Sequence, residues 1–335
     1  MRRLIPRRDF LKLTAAAAVS IFSEAPRRVQ AAEVPIGLGR VTNSSVRAFD
    51  KPDFAAKAQK KIYWLDTLIN IYEELKDGDP GLAQNPVWWR TDEGWVHSSL
   101  IQPVRSDPNQ PIRIVPREGF LGEITVPYSD AWRNDDGNPK KVYRFYYAST
   151  HWVDQAVTDI DDRVWYRVVD DRYQVYYFVL AESLRRIPEE ELTPLSSGVT
   201  DKRIEVDLRQ QSLTAYENGT RVFTARVSTG RQGVATPMGE FHVERKRPSR
   251  HMAATDGNGF DLPGVPWVSY IFWTGVALHG TYWHNDFGTP HSRGCINLTP
   301  ADAKWLYRWT LPVVPPGEDY LRAPGGTTVS IVDSQ

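Results

Sequence analysis

Apolar and polar residues alternate at period two along much of the chain, and few stretches sustain the 3.6-residue period of a helix. That pattern predicts a mainly β protein. The alternation is cleanest in residues 203–208, 211–216 and 220–227. Arg209-Gln210 and the turn-forming Glu217-Asn218-Gly219 separate these runs, which read as a meander of short strands. Ser45-Val46-Arg47 and Ile69-Asn70-Ile71-Tyr72 are further strand candidates. Val87-Trp88-Trp89-Arg90 and Gly94-Trp95-Val96-His97 form a strand pair across Thr91-Asp92-Glu93. One helix is expected, from Ala301 to Trp309: Thr299 is placed to cap it, Pro300 suits its first turn, and Asp302 favours its positive end.

Residues 187–198 are polar and bear Pro and Gly, the composition of a linker. They set a domain at 199–335 apart from two upstream regions, 33–115 and 116–198. The Gly-Trp-Val run at 94–96 is similar to the closing strands of bacterial SH3-like domains, and implies a small SH3-like β-barrel at 33–115. The next region echoes the first. Trp64-Leu65-Asp66 returns as Trp152-Val153-Asp154, and Val87-Trp88-Trp89-Arg90 as Val164-Trp165-Tyr166-Arg167. Residues 116–198 are therefore either a second SH3-like domain made by duplication or a linker region whose aromatic strands merely look alike.

The first 32 residues read as a targeting segment rather than fold. Arg2, Arg3, Arg7 and Arg8 precede a short alanine-rich apolar run, and Arg7-Arg8-Asp9-Phe10-Leu11-Lys12 resembles a twin-arginine export signal. Val29-Gln30-Ala31 offers a cleavage site, with no cysteine beside it for a lipid anchor. No later stretch is long and apolar enough to span a membrane. The expected location is thus the cell wall, periplasm or outer face of a bacterium. The 41 basic and 41 acidic side chains of the whole chain balance; loss of residues 1–31 leaves 34 against 39, a net charge of −5. A mildly acidic protein without a basic helix or zinc-finger spacing is a poor nucleic-acid binder.

Cys295 is the only cysteine. Exported proteins usually keep cysteines in pairs, so a lone thiol there calls for a chemical use. A thiol becomes a nucleophile with a base or cation beside it. Of the three histidines that closely precede it, His279 ends the apolar run Val276-Ala277-Leu278 and precedes Gly280, whereas His284 and His291 lie in a polar loop. His279, His284, His291, Cys295 and Asp286 are also acceptable zinc ligands, but their spacing fits no zinc motif. No metal or cofactor is called for.

These residues carry a resemblance. His279-Gly280, Ser292-Arg293-Gly294-Cys295-Ile296-Asn297, Ser228-Thr229-Gly230 and Thr236-Pro237-Met238-Gly239-Glu240-Phe241 resemble the four sequence elements of YkuD-type L,D-transpeptidases. The likeness covers residues 200–333. It implies a β-sandwich-like catalytic domain and a cell-wall acyltransferase whose donor and acceptor are peptidoglycan stem peptides. It also implies acylation by a carbapenem. Carried over residue by residue, Cys295 is the nucleophile, His279 the general base, and the Gly280 carbonyl the group that orients His279. The backbone amides of Arg293, Gly294 and Cys295 form an oxyanion hole. Trp283, Ser292, Arg293, Asn297, Tyr282 and Tyr270 contact substrate. The family usually has His where this chain has Arg293, a side chain that cannot serve as a base.

A polar stretch from Arg245 through Gly259 matches the family's lid in placement, and Leu262-Pro263-Gly264-Val265-Pro266-Trp267 reads as a rigid turn that brings Trp267 and Tyr270 to the cleft. Two other activities fit the same residues. Water in place of the amine would make an L,D-carboxypeptidase, and an inert last domain would leave a wall-binding protein. The acceptor amine and the oligomeric state are not written in the sequence.

Overall fold

The computed structural model describes residues 33–80, 84–134, 137–254 and 259–334, so the targeting segment lies outside the described residues. The first module contains β1 (Gly37–Val41), β2 (Ser45–Phe49), β3 (Ala58–Trp64), β4 (Leu68–Ile71), β5 (Glu73–Leu75), β6 (Trp88–Thr91), β7 (Gly94–His97) and β8 (Ile101–Val104). These strands make two sheets, of order β4-β1-β8 and β3-β2-β7-β6-β5. The next module contains β9 (Phe120–Ile124), β10 (Tyr128–Arg133), β11 (Lys140–Tyr146), β12 (Thr150–Thr158), β13 (Val164–Val169), β14 (Tyr176–Leu180) and β15 (Leu184–Arg186). They form one sheet of order β11-β10-β14-β13-β12-β9-β15.

The second order repeats the first once β12 is counted as β4 and β5 run together. Each module even places a 3₁₀ turn, Ser98–Leu100 or Ala181–Ser183, before its last strand. Registers agree as well. Val41 opposes Ile101 as Ile124 opposes Leu184. Glu74 opposes Trp89 as Ala156 opposes Tyr166. The echo of residues 87–90 at 164–167 is therefore in true register. The echo of Trp64-Leu65-Asp66 at 152–154 is not. The Asp66 amide bonds to Val41 O as the Ala148 amide bonds to Ile124 O, so Asp66 corresponds to Ala148. Both hold a positive φ, 65° and 63°, in the turn before the next strand.

Residues 202–332 form two five-stranded sheets. The first joins β16 (Lys202–Asp207), β17 (Ser212–Glu217), β18 (Thr220–Arg226), β19 (Gly239–His242) and β25 (Thr328–Val332) in the order β18-β17-β16-β25-β19. The second joins β20 (Arg245–Ala253), β21 (Asp261–Tyr270), β22 (Ala277–Gly280), β23 (Ile296–Leu298) and β24 (Leu321–Arg322) in the order β23-β22-β21-β20-β24. The predicted meander is β16-β17-β18. Their inward residues Ile204, Val206, Leu213 and Ala215 share one core with Leu278, Ile296, Leu298 and Val329, the arrangement of a sandwich. Each fully buried aliphatic side chain there contributes about 1.5–3 kcal/mol.

The expected helix is α1 (Pro300–Trp309). Thr299 accepts from the Asp302 amide at its start. At its other end two buried lysines meet the free carbonyls: Lys202 Nζ donates to Trp309 O (2.8 Å), and Lys246 Nζ to the carbonyls of Tyr307, Thr310 and Pro312. Burial pulls the Lys246 ammonium down to about 7.

One expectation is corrected here. The stretch from Arg245, expected as a lid, is strand β20, which pairs with β21. Residues 262–267 are not a turn but the middle of β21. Trp267 adopts φ 61° and is buried in the core against Tyr307, away from the cleft.

Candidate active site

The parallel pair β22–β23 sets the site. His279 opposes Asn297 and Leu278 opposes Ile296. Alternation along a strand then puts the side chains of His279, Asn297 and Cys295 on one face. All three line a cavity of about 630 Å³ together with Trp283, Ser292 and Arg293. His279 Nδ1 lies 3.0 Å from Gly280 O, so Nδ1–H donates to it and Nε2 keeps its lone pair. Cys295 is half-buried, with Sγ 3.8 Å from Gly275 O.

The two turns upstream hold the cysteine loop from behind. Ser228 bridges to Asn297, and Gly230 to Ser292. Thr236 Oγ1 accepts from the Gly230 amide (2.8 Å) and donates to Gly294 O (2.9 Å). A Cβ on Gly230 would stand 2.4 Å from Val234 O, which is why the position takes glycine. Gly294, at φ 111°, makes the turn that few side chains tolerate.

Burial governs the electrostatics. It pulls His279 down to about 4 and pushes the Cys295 thiol up, against a weaker downward pull from the Ala277 amide. The resting pair is a neutral imidazole and a thiol, not an imidazolium–thiolate pair. His284, also buried, is pulled down to about 3. Its Nε2 is 2.9 Å from the Asn297 amide group, and His291 stacks on its ring at 5.0 Å. His291 Nε2 in turn meets Asp286 at 2.5 Å. Burial raises the Asp286 carboxyl, but that hydrogen bond and the charge of His291 outweigh it and leave it below its usual range.

The remaining predicted contacts divide. Trp283 covers the imidazole, with ring centroids 5.7 Å apart. Arg293 lines the cavity and reaches the hairpin β20–β21, its guanidinium 5.8 Å from the Phe260 ring. Tyr270 borders a second cavity that also reaches Cys295. Ser292 Oγ is a latch: it donates to Cys295 O (2.5 Å) and accepts from the Gly294 amide (3.0 Å). The Gly294 amide is thereby engaged, which removes it from the expected oxyanion hole. Tyr282 does not face the cavity. It is buried, with its hydroxyl donating to Pro263 O (2.7 Å).

Residues 201–331 match the L,D-transpeptidase catalytic domain known as YkuD. This part of the chain is similar to a YkuD-type L,D-transpeptidase domain. YciB of Bacillus subtilis, named as an L,D-transpeptidase, is 29% identical over 31% of this chain and 58% of its own length. L,D-transpeptidase 1 of Mycobacterium tuberculosis is 30% identical over 29% of this chain and 41% of its own. The chain thus spans about half the length of these curated relatives. Among solved structures, an Enterococcus faecium L,D-transpeptidase mutant is 28% identical, with 40% of this chain and 50% of that one covered and a TM-score of 0.33. An L,D-transpeptidase from Mycobacterium smegmatis is 17% identical over 79% of this chain and all of that one, with a TM-score of 0.33.

The two walls of this site are braced by the upstream modules, through residues the sequence did not single out. Arg40 of β1, buried, donates to Tyr282 O (2.7 Å), Gln102 and Asp66. The Asn285 amide bonds to Ser99 O (2.9 Å). Together they hold the loop between His279 and Cys295. From the second module Asp170 meets His251 Nδ1 (2.5 Å), Asp171 meets Arg250 (2.5 Å) and the His251 amide (2.8 Å), and Thr150 bonds to Pro248 O and accepts from Ser249. These contacts hold hairpin β20–β21. Burial lowers His251, but the hydrogen bonds to Asp170 and Asp261 outweigh it and raise its pKa.

Proposed function

We propose that this protein is a peptidoglycan L,D-transpeptidase that carries its acyl group on Cys295. The observation that supports the reading is that one cavity holds both Cys295 and a neutral His279 whose Nδ1–H is committed to Gly280 O. As sulfur attacks the donor carbonyl, His279 Nε2 takes the thiol proton, so charge develops only once substrate excludes water. The backbone amides of Arg293 and Cys295 face the developing oxyanion, at about 3 kcal/mol for one such donor. His279 passes its proton to the departing amine, and a thioester remains on Cys295. An acceptor amine then enters, gives its proton to His279 and displaces sulfur, forming the new amide and regenerating the thiol.

The donor is a tetrapeptide stem cleaved behind a diamino acid, and the acceptor is an amine of a second stem. Export through the twin-arginine-like segment, cell-wall location and SH3-like identity of the two repeated modules belong to the same reading. The repeated strand order and the 3₁₀ turn before each last strand support the SH3-like assignment. Among the described residues no helix is long and apolar enough to cross a membrane.

Muropeptide analysis by mass spectrometry tests the reading, using the protein incubated with disaccharide-tetrapeptide. Cross-linked dimer that disappears in Cys295→Ala supports transfer. Tripeptide monomer alone assigns a carboxypeptidase instead, and an unchanged substrate rejects both.

A further inference from the structure

A second cavity, of about 450 Å³, also reaches Cys295. Met252, Phe260, Thr274 and Gly275 border both cavities, so the sulfur sits where the two join. Their linings differ. The first holds His279, Ser292 and Asn297, with two arginines, Arg231 and Arg293. The second holds four guanidinium groups, those of Arg172, Arg245, Arg247 and Arg250.

Acids neutralise only part of that charge. Asp171 takes Arg250 at 2.5 Å and stands 3.6 Å from Arg247, which also faces Asp319 at 3.6 Å. No ion pair is seen for Arg172 or Arg245 among the described residues. Arg245 lies over the Tyr270 ring at 4.7 Å and donates to Phe272 O. Arg172 comes from the β13–β14 turn of the second module, where its amide is fixed to Asp170 Oδ1 at 2.9 Å. Trp273, 79% exposed, borders the same cavity as an open aromatic face. Two guanidinium groups with spare donors beside an exposed indole are suited to a carboxylate-bearing peptide.

Which peptide this is follows from proton traffic, and it rests on the acyl-transfer reading above. The leaving amine needs a proton and the entering amine must lose one, and His279 borders only the first cavity. Leaving group and acceptor therefore use that cavity in turn. The acyl chain of the donor is left to run past Cys295 into the other. We propose that the arginine-lined cavity binds the acyl portion of the donor through a free carboxylate on the N-terminal side of the scissile bond, with Arg172 and Arg245 as the selecting residues.

The test compares two tetrapeptide donors, one with those upstream carboxylates free and one with them amidated, in transfer assays with the full chain. The wild type is expected to prefer the free acid, roughly tenfold in kcat/KM and mostly through KM, the size expected for a partly solvated charge-assisted hydrogen bond. Arg172→Gln and Arg245→Gln should each erode the preference, and Arg172→Glu should reverse it toward the amidated donor. kcat at saturation should stay near wild type. Equal use of both donors by wild type overturns the inference but leaves the transfer reading standing. Turnover of neither donor overturns that reading itself. An unchanged preference in both Gln variants, with melting temperatures intact, removes these arginines from recognition.

Discussion

The first and second modules share strand order and register, yet they grip opposite walls of the same site. The position that is Arg40 in one is Glu123 in the other: each opposes the last strand, at Gln102 and Arg185 respectively. Arg40 reaches out of its module to Tyr282 O, whereas Glu123 stays within its own and pairs with Arg185 at 2.6 Å. The position that is Ile69 in one is His151 in the other, opposite Gly39 and Gly122. Ile69 fills its module's core, while the His151 ring abuts Gly264 of the hairpin. One scaffold thus supplies two braces by changing which strand faces carry polar groups, without a change in strand order. The loop between His279 and Cys295 is braced by a guanidinium from β1, and the hairpin by carboxylates from a turn.

Breaking the first brace should cost most. Arg40→Met leaves Gln102 and Tyr282 O without their donor and strips Asp66 of one of its two arginines. Loss of one member of such a buried network costs about 3–5 kcal/mol. Denaturant unfolding is expected to show that loss, together with a fall in transfer rate as residues 282–289 loosen.

Crowding the second brace should cost somewhat less. Gly264 holds φ 70°, and a Cβ there would come within 2.2 Å of His151 Cε1. Gly264→Ala is expected to cost about 2–3 kcal/mol, from strain and overpacking together. Because the hairpin borders both cavities, KM for the donor should rise while alkylation of Cys295 by iodoacetamide continues. A fall in stability with unchanged KM would make the second brace a purely structural one.

A pH dependence is shared by residues of both braces. Burial holds His151 and His284 at about 3 and His279 at about 4, against an ordinary 6.5. Between pH 6.5 and about 4 the unfolded chain binds protons that these three refuse in the fold. Stability therefore falls as pH drops through that window. His251 runs the other way: its raised pKa adds stability at low pH, lost as pH rises through the folded value. Three groups oppose one, so the melting temperature should decline from pH 7 to pH 4.5. His251→Leu should steepen the decline, and a flat profile would contradict the burial of neutral imidazoles.

Local pattern made much of this architecture legible. Strands β16, β17 and β18 and helix α1 follow from alternation and capping, and the cysteine with its histidine from four short motifs. The true repeat at 87–90 and 164–167 was visible because the matching residues sit on equivalent strands, β6 and β13. The false one paired Asp66, in a turn, with Asp154, at the bulge of β12, where identical letters serve different backbones. Arg40, Asp170 and Asp171 left no sequence signal, because their partners lie 242, 81 and 80 positions away. The Gly294 amide looked free until the Ser292 latch was seen, a contact that depends on a side-chain rotation no motif records.

The central claim, that the acyl group rides on Cys295, is tested most directly by intact-protein mass spectrometry. The protein is mixed with a carbapenem, then digested to locate the adduct. One covalent adduct per chain on Cys295, missing from Cys295→Ala and slowed in His279→Ala, is the expected result. An unmodified wild-type mass after prolonged incubation, or an adduct that persists in Cys295→Ala, would contradict it.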